Sequence, residues 1–232
     1  MSECKVCHRP LTSPASIQRG MGRKCADKSL EQFPSHHHAM NTRIIRAYDK
    51  VMKAEKSITP VIEQVAKSVG AKLEGLDFRI KTLESFARKI HTDISQGKQH
   101  DQAIQEIYDA VRYTMTKNGS EMVSSYQKVV ANLENQGFKV YRVKNTWLNT
   151  KNPYKGINIV LSTDTGYRFE LQFHTPQSLE TKEKMHVLYE EARRMDTSAE
   201  RVKELKTEMR NMALVLKVPT NISQIEERSE EL

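Results

Sequence analysis

From Tyr167 to His174 apolar and polar residues alternate strictly, with Tyr167, Phe169, Leu171 and Phe173 on one side and Arg168, Glu170, Gln172 and His174 on the other. A period of two marks a β-strand, and a side this apolar packs on a core. Upstream, Ile157, Ile159 and Leu161 alternate with Asn158, Val160 and Ser162, and Asp164-Thr165-Gly166 supplies a turn whose glycine can take the left-handed conformation. The spacing predicts a hairpin with a three-residue loop that pairs Asn158 with Gln172. Asn158, Glu170 and Gln172 then share one face, with Tyr154, Lys151 and Lys155 at the strand entrance. A wet antiparallel face would alternate in the same way. A carboxylate, an aromatic ring and several cations gathered on it suit a nucleotide.

Helical spacing governs the chain before this hairpin. Ile44, Ile45, Tyr48, Val51 and Met52 form one stripe, and Ser57-Ile58-Thr59-Pro60 is expected to restart a second helix through Ile62, Val65 and Val69 to a stop at Gly70. Around Leu76–Ile90 a strand end is expected to lead into a helix. Arg79 and Lys81 would share a strand face, and Ser85 and Lys89 a helix face, so three cations and a hydroxyl converge beside a helix N-terminus that favours anions. Gln105–Thr114 reads as a strand in which Asp109 is an unusual residue. Asn118-Gly119-Ser120 is expected to cap a helix striped by Met122, Tyr126, Val129, Val130 and Leu133, and Phe138–Val143 reads as a further strand. Beyond the hairpin, residues 178–194 and 198–216 read as two charged helices, and the acidic tail from Ser223 as a fraying end. This order predicts an α+β fold, a mixed β-sheet flanked by helices.

Residues 1–40 read as a separate unit, a small zinc-binding finger, ahead of a main domain at 41–232. Cys4, Cys7 and Cys25 offer three thiolates for a tetrahedral zinc site. His36 stands as the fourth ligand, and spacing leaves His8, His37 and His38 open as alternatives. A segment this short has no sizeable core, so metal binding would supply its folding energy.

The chain's formal charge of +8 is unevenly placed: residues 1–100 hold 18 Lys and Arg against 10 Asp and Glu, whereas residues 101–232 hold 19 against 19. An anionic partner is therefore expected at the N-terminal region, nucleotide phosphates or RNA, with a protein contact as the other reading. No run is long enough to span a membrane and the N-terminus has no apolar signal region. Three cysteines without an export signal point to a reducing cytoplasm.

Two stretches resemble a known family. Arg79-x-Lys81-x-x-x-Ser85-x-x-x-Lys89, then Tyr154-Lys-Gly-Ile-Asn158 followed by Glu170-Leu-Gln172-Phe-His174-Thr175, are similar to motifs of RelA/SpoT-type alarmone synthetase domains, above all the toxin-like small synthetases, including phage-associated forms. The resemblance covers about residues 76–194. It implies a nucleotidyltransferase-like synthetase fold and magnesium-dependent transfer of pyrophosphate from ATP to a ribose 3′-hydroxyl, on a nucleotide or a tRNA 3′ end. It also implies roles: Arg79, Lys81, Ser85, Lys89 and Lys144 hold the donor ATP. Asp109 and Glu170 bind magnesium, with Glu170 also placed to accept a proton; Tyr154, Asn158, Gln172 and His174 hold the acceptor. The sequence departs from the family at Asn158, where a His is usual, at His174, where an Arg is usual, and after Asp109, where Arg112 and Thr114 replace a Gly and an Arg. Those departures support a rival reading, a degenerate synthetase fold that binds RNA or protein without turnover.

Overall fold

A computed structural model describes residues 2–29, 38–194 and 196–229. The chain packs as two compact units, one of residues 1–60 with 77–112 and the other of 61–76 with 113–232.

In the first unit, helices α1 (Pro14–Arg19) and α2 (Arg23–Ser29) belong to the cysteine-bearing segment, and α3 (His38–Ser68) follows. The two helices expected on either side of Ser57 are one: Pro60 lies inside α3, whose residues from Val61 belong to the second unit. Ile44, Tyr48, Val51, Ile58 and Ile62 fall on one buried stripe running through it. Proline removes one backbone donor, and a continuous apolar face offsets that loss.

Leu76–Phe78 is a 3-10 turn, and α4 (Leu83–Ser95) follows with Thr82 at its N-cap, the side chain accepting from the Ser85 amide. The strand expected at Gln105–Thr114 is α5 (His100–Gln105), a 3-10 turn at Tyr108–Ala110, and only then extended chain. Asp109 thus sits on a turn, where a short polar side chain costs no ladder pairing.

The second unit holds a six-stranded sheet: β1 (Lys72–Glu74), β2 (Arg112–Thr116, in this unit from Tyr113), β3 (Lys139–Asn145), β4 (Ile157–Ser162), β5 (Arg168–His174) and β6 (Arg228–Ser229), in the order β1-β2-β5-β4-β3-β6. The β1/β2, β4/β5, β3/β4 and β3/β6 pairs are antiparallel. The Lys117 amide, just past β2, donates to the His174 carbonyl that ends β5, so these two neighbours run parallel and the sheet is mixed. The hairpin has the expected register, Asn158 opposite Gln172, and closes through the Thr163 amide donating to the Tyr167 carbonyl, with Gly166 at φ 79°.

Helix α6 (Met122–Asn135) packs its buried Met122, Val129 and Leu133 toward the sheet, and Tyr126 meets Phe173 edge-on at 5.6 Å. Its N-cap position is Glu121, without a side-chain cap bond, rather than the Asn118–Ser120 turn. Helices α7 (Pro176–Ala192) and α8 (Ala199–Leu214) follow, α7 opening with a capping box between Thr175 and Ser178.

The C-terminal segment does not fray over its described length. Ile222 and Ile225 are buried, and the Asn145 side-chain amide donates to both their carbonyls, at 2.9 and 3.0 Å. Two apolar anchors and β6 hold a stretch whose charge alone suggested solvent. No helix among the described residues is long and apolar enough to cross a membrane.

Candidate functional site

In the first unit the extended link after the 3-10 turn is pinned by backbone: the Lys81 amide donates to the Ala110 carbonyl and the Arg112 amide to the Arg79 carbonyl. The Tyr48 hydroxyl adds a 2.8 Å bond to the Lys81 carbonyl, and burial raises its pKa to about 12, so it stays a donor. Upon this frame Lys81 Nζ lies 2.9 Å from Asp109 Oδ2. Arg79 Nε donates to Glu55 Oε1 at 2.7 Å, and Thr59 Oγ1 donates to the same oxygen at 2.6 Å. Lys89, one turn beyond Ser85, reaches Asp93 at 3.1 Å, and Asp93 also takes Lys98. The Lys98 ammonium is stabilised first by Glu106, which raises its pKa, and Glu106 is correspondingly lowered. The strand end expected before the helix is an extended link with a single bridge, Ile80 to Val111, and Arg79, Lys81, Ser85 and Lys89 lie along this link and the start of α4, with each cation on a carboxylate.

Glu55 was not foreseen as part of this junction. Its signal was present: a carboxylate on the buried stripe of α3, 6% exposed, requires a cation.

In the second unit, antiparallel register sets Lys144 on β3, Asn158 on β4 and Gln172 on β5 side by side, so all three side chains share a face. Glu170 is two residues along β5 on that face. The Gln172 amide nitrogen donates to Glu170 Oε1 at 3.2 Å while its oxygen accepts from Lys182 Nζ at 2.8 Å. Lys182 thereby fixes which way the Gln172 amide points and holds Glu170 in turn. Lys182 was legible as the middle of the Ser178, Lys182, Met185 face of α7.

Tyr154 is half-buried. Its hydroxyl donates to Asn158 Oδ1 at 2.5 Å and lies 3.0 Å from His174 Nε2, the two rings meeting edge-on at 5.3 Å. His174 is fully buried, with Nδ1 3.0 Å from the Ser178 hydroxyl. With the phenol proton given to Asn158, the proton of the second contact belongs on His174 Nε2. His174 therefore reaches the polar face through Tyr154. Gly156 permits this, because a β-carbon there would lie 2.7 Å from His174 Cε1 and 2.9 Å from the Tyr154 hydroxyl. Lys155 is turned away, donating to the Asn149 and Thr146 carbonyls, and desolvation lowers its pKa.

At the N-terminus the ligand atoms of Cys4, Cys7 and Cys25 lie within 4.8 Å of one another. Four-coordinate zinc with bonds of about 2.3 Å to sulfur needs sulfurs about 3.8 Å apart, so the cluster could hold such an ion. Backbone amides of Gly22, Cys7 and Val6 lower the Cys4 pKa to about 6, and the Cys7 and Cys4 side chains raise Cys25 to about 11. His8 is outside this group among the described residues. His36 and His37 lie outside the described residues, as does the His38 side chain.

The cysteine segment, residues 2–30, matches the model of a family of unknown function (DUF6011). No curated protein matches the chain. Three of the solved structures that share the fold illustrate it. One is the complex of the Type VI effector Tas1 with its immunity protein, at 21% identity over 72% of this chain and 92% of that one, TM-score 0.51. Another is a GTP pyrophosphokinase family protein from Streptococcus pneumoniae, at 16% identity over 77% and 89%, TM-score 0.50. The third is the small alarmone synthetase 1 of Bacillus subtilis bound to its product pppGpp, at 14% identity over 71% and 86%, TM-score 0.50. The α+β mixed sheet flanked by helices is thus the alarmone-synthetase fold.

Proposed function

We propose that this protein is a magnesium-dependent pyrophosphotransferase that moves pyrophosphate from ATP to the ribose 3′-hydroxyl of a nucleotide or a tRNA 3′ end, and that it acts as a growth-inhibiting toxin. The observation that carries this reading is the row Lys144, Asn158 and Gln172, with Tyr154 and Glu170 beside it, on the sheet of a synthetase fold. The Type VI effector among the fold's relatives supports the toxin role.

In the first unit Arg79, Lys81, Ser85 and Lys89 hold the ATP phosphates; in the second, Lys144 is the cation offered to the donor. Magnesium, when bound, would supply positive charge against the charge developing on the transferred group. Each unit would have one carboxylate to offer such an ion, Asp109 in the first and Glu170 in the second, both hard oxygen ligands. Glu170, steadied by Gln172 and Lys182, accepts the proton of the attacking hydroxyl. The Tyr154 ring, clamped by Asn158 and His174, stacks on the acceptor base.

Lys81→Ala should weaken ATP binding about tenfold or more, since a hydrogen bond to a charged group in a partly desolvated site contributes roughly 1.5–3 kcal/mol. Calorimetry with ATP and magnesium tests it, and unchanged affinity would return the junction to a solvated surface. The rival reading, a binding module, is favoured by one observation: Arg79 and Lys81 already have carboxylate partners. Expression in a host separates the two, because an enzyme's toxicity disappears in Glu170→Gln at equal protein level.

The cysteine segment is proposed to bind one zinc. Protein purified without added metal should carry one equivalent of zinc by elemental analysis, and Cys4→Ser should release it. A metal-free protein with an ordered N-terminus would contradict this.

A further inference from the structure

Helix α3 presents a second face, opposite Tyr48 and Glu55. Arg43, Arg46, Lys50 and Lys53 recur at intervals of three and four residues, all exposed, so they form one ridge of cations along about three turns, or about 15 Å. The two carboxylates within Thr42–Pro60 do not neutralise it. Glu55 is buried on Arg79, and Asp49 is held by Arg19 in a paired contact, Nε to Oδ1 at 3.0 Å and Nη2 to Oδ2 at 3.1 Å. Arg43 has one exposed partner, Asp101 at 3.5 Å, a weak pair in water. Among the described residues no ion pair involves Arg46, Lys50 or Lys53.

The cysteine segment extends the ridge. The Arg19–Asp49 pair fixes it to α3, and Arg23 Nη2, donating to Thr42 Oγ1 at 3.3 Å, adds an exposed cation beside Arg43.

We propose that this face is a docking surface for the phosphate backbone of a nucleic acid. A regular row of unneutralised cations, each about one helical turn from the next, complements a polyanion with a repeating charge. No exposed aromatic residue interrupts the row, so it grips phosphate and does not read bases. The surface is independent of pyrophosphate transfer and would bring the chain to RNA or DNA whether or not it turns over.

The test is fluorescence anisotropy of the full chain with a labelled single-stranded RNA of mixed sequence, its duplex and the matching DNA, across a salt series. Four phosphate contacts predict that log Kd rises with log salt at a slope of about 3. The double variant Arg46→Gln, Lys50→Gln should cut that slope by about half and weaken binding tenfold or more at low salt. A variant of equal charge change on α8, Lys203→Gln with Lys206→Gln, should bind as the parent does. Equal loss in both variants would reduce the effect to net charge and overturn the proposal. So would salt-independent binding, or no binding to any of the three probes.

Discussion

Glu170→Gln is expected to lower pyrophosphate transfer by about 10²–10⁴-fold, the range for loss of a general base, while the protein folds as before. That corresponds to about 3–5.5 kcal/mol of barrier, and loss of a charged metal ligand adds to it. The substitution should be nearly silent in the fold for two reasons. Glutamine keeps the oxygen that accepts from Gln172 at 3.2 Å, and the strand position is set by the buried neighbours Phe169 and Leu171 rather than by the carboxylate. Steady-state rates beside a thermal melt measure both quantities. A large loss of stability together with the loss of rate would mean that Glu170 is a structural ion, and its catalytic role would fall.

Phe169→Ala is the complementary substitution, and its effect should be on stability. The ring is fully buried, 6.1 Å from Tyr113 and 5.7 Å from Phe138 in edge-on contacts. Truncating such a side chain costs about 3–5 kcal/mol through lost transfer energy and the cavity left behind, with the aromatic contacts contributing to that cost. Against the usual total of about 5–15 kcal/mol, this is a large share. Urea unfolding should show a lower midpoint at unchanged slope. A loss under about 1 kcal/mol would mean that the apolar side of β5 is not the support on which Glu170 rests.

The hairpin was legible because a period of two, a glycine turn and one buried face fix register together. A slip by one residue would carry Phe169, Leu171 and Phe173 to the polar side. For that reason Asn158 could be set opposite Gln172 from spacing alone. The stretch before β2 was misread because Ile107, Ala110 and Val111 are as apolar as a strand, while the 3-10 turn depends on packing that periodicity does not encode. Pro60 suggested a break where a long buried stripe carried the helix through. The tail was misjudged from its charge, since two isoleucines and a partner amide on β3 decide its place. Within the site, alternation set His174 on the polar face but could not show that α7, Tyr154 and Ser178 cover it. Glu55 illustrates the same limit: burial marked it as needing a cation, but its partner Arg79 lies far along the chain, and only the fold brings the two together.

The central claim is pyrophosphate transfer, and following the phosphates tests it most directly. The full chain is incubated with magnesium and ATP labelled at the γ-phosphate, alone and with GDP, GTP or tRNA as acceptor. The account predicts that label appears on one acceptor while AMP accumulates in equal amount, and that Glu170→Gln abolishes both. Accumulation of ADP instead, or unchanged ATP with every acceptor from a folded protein that binds ATP, would contradict it.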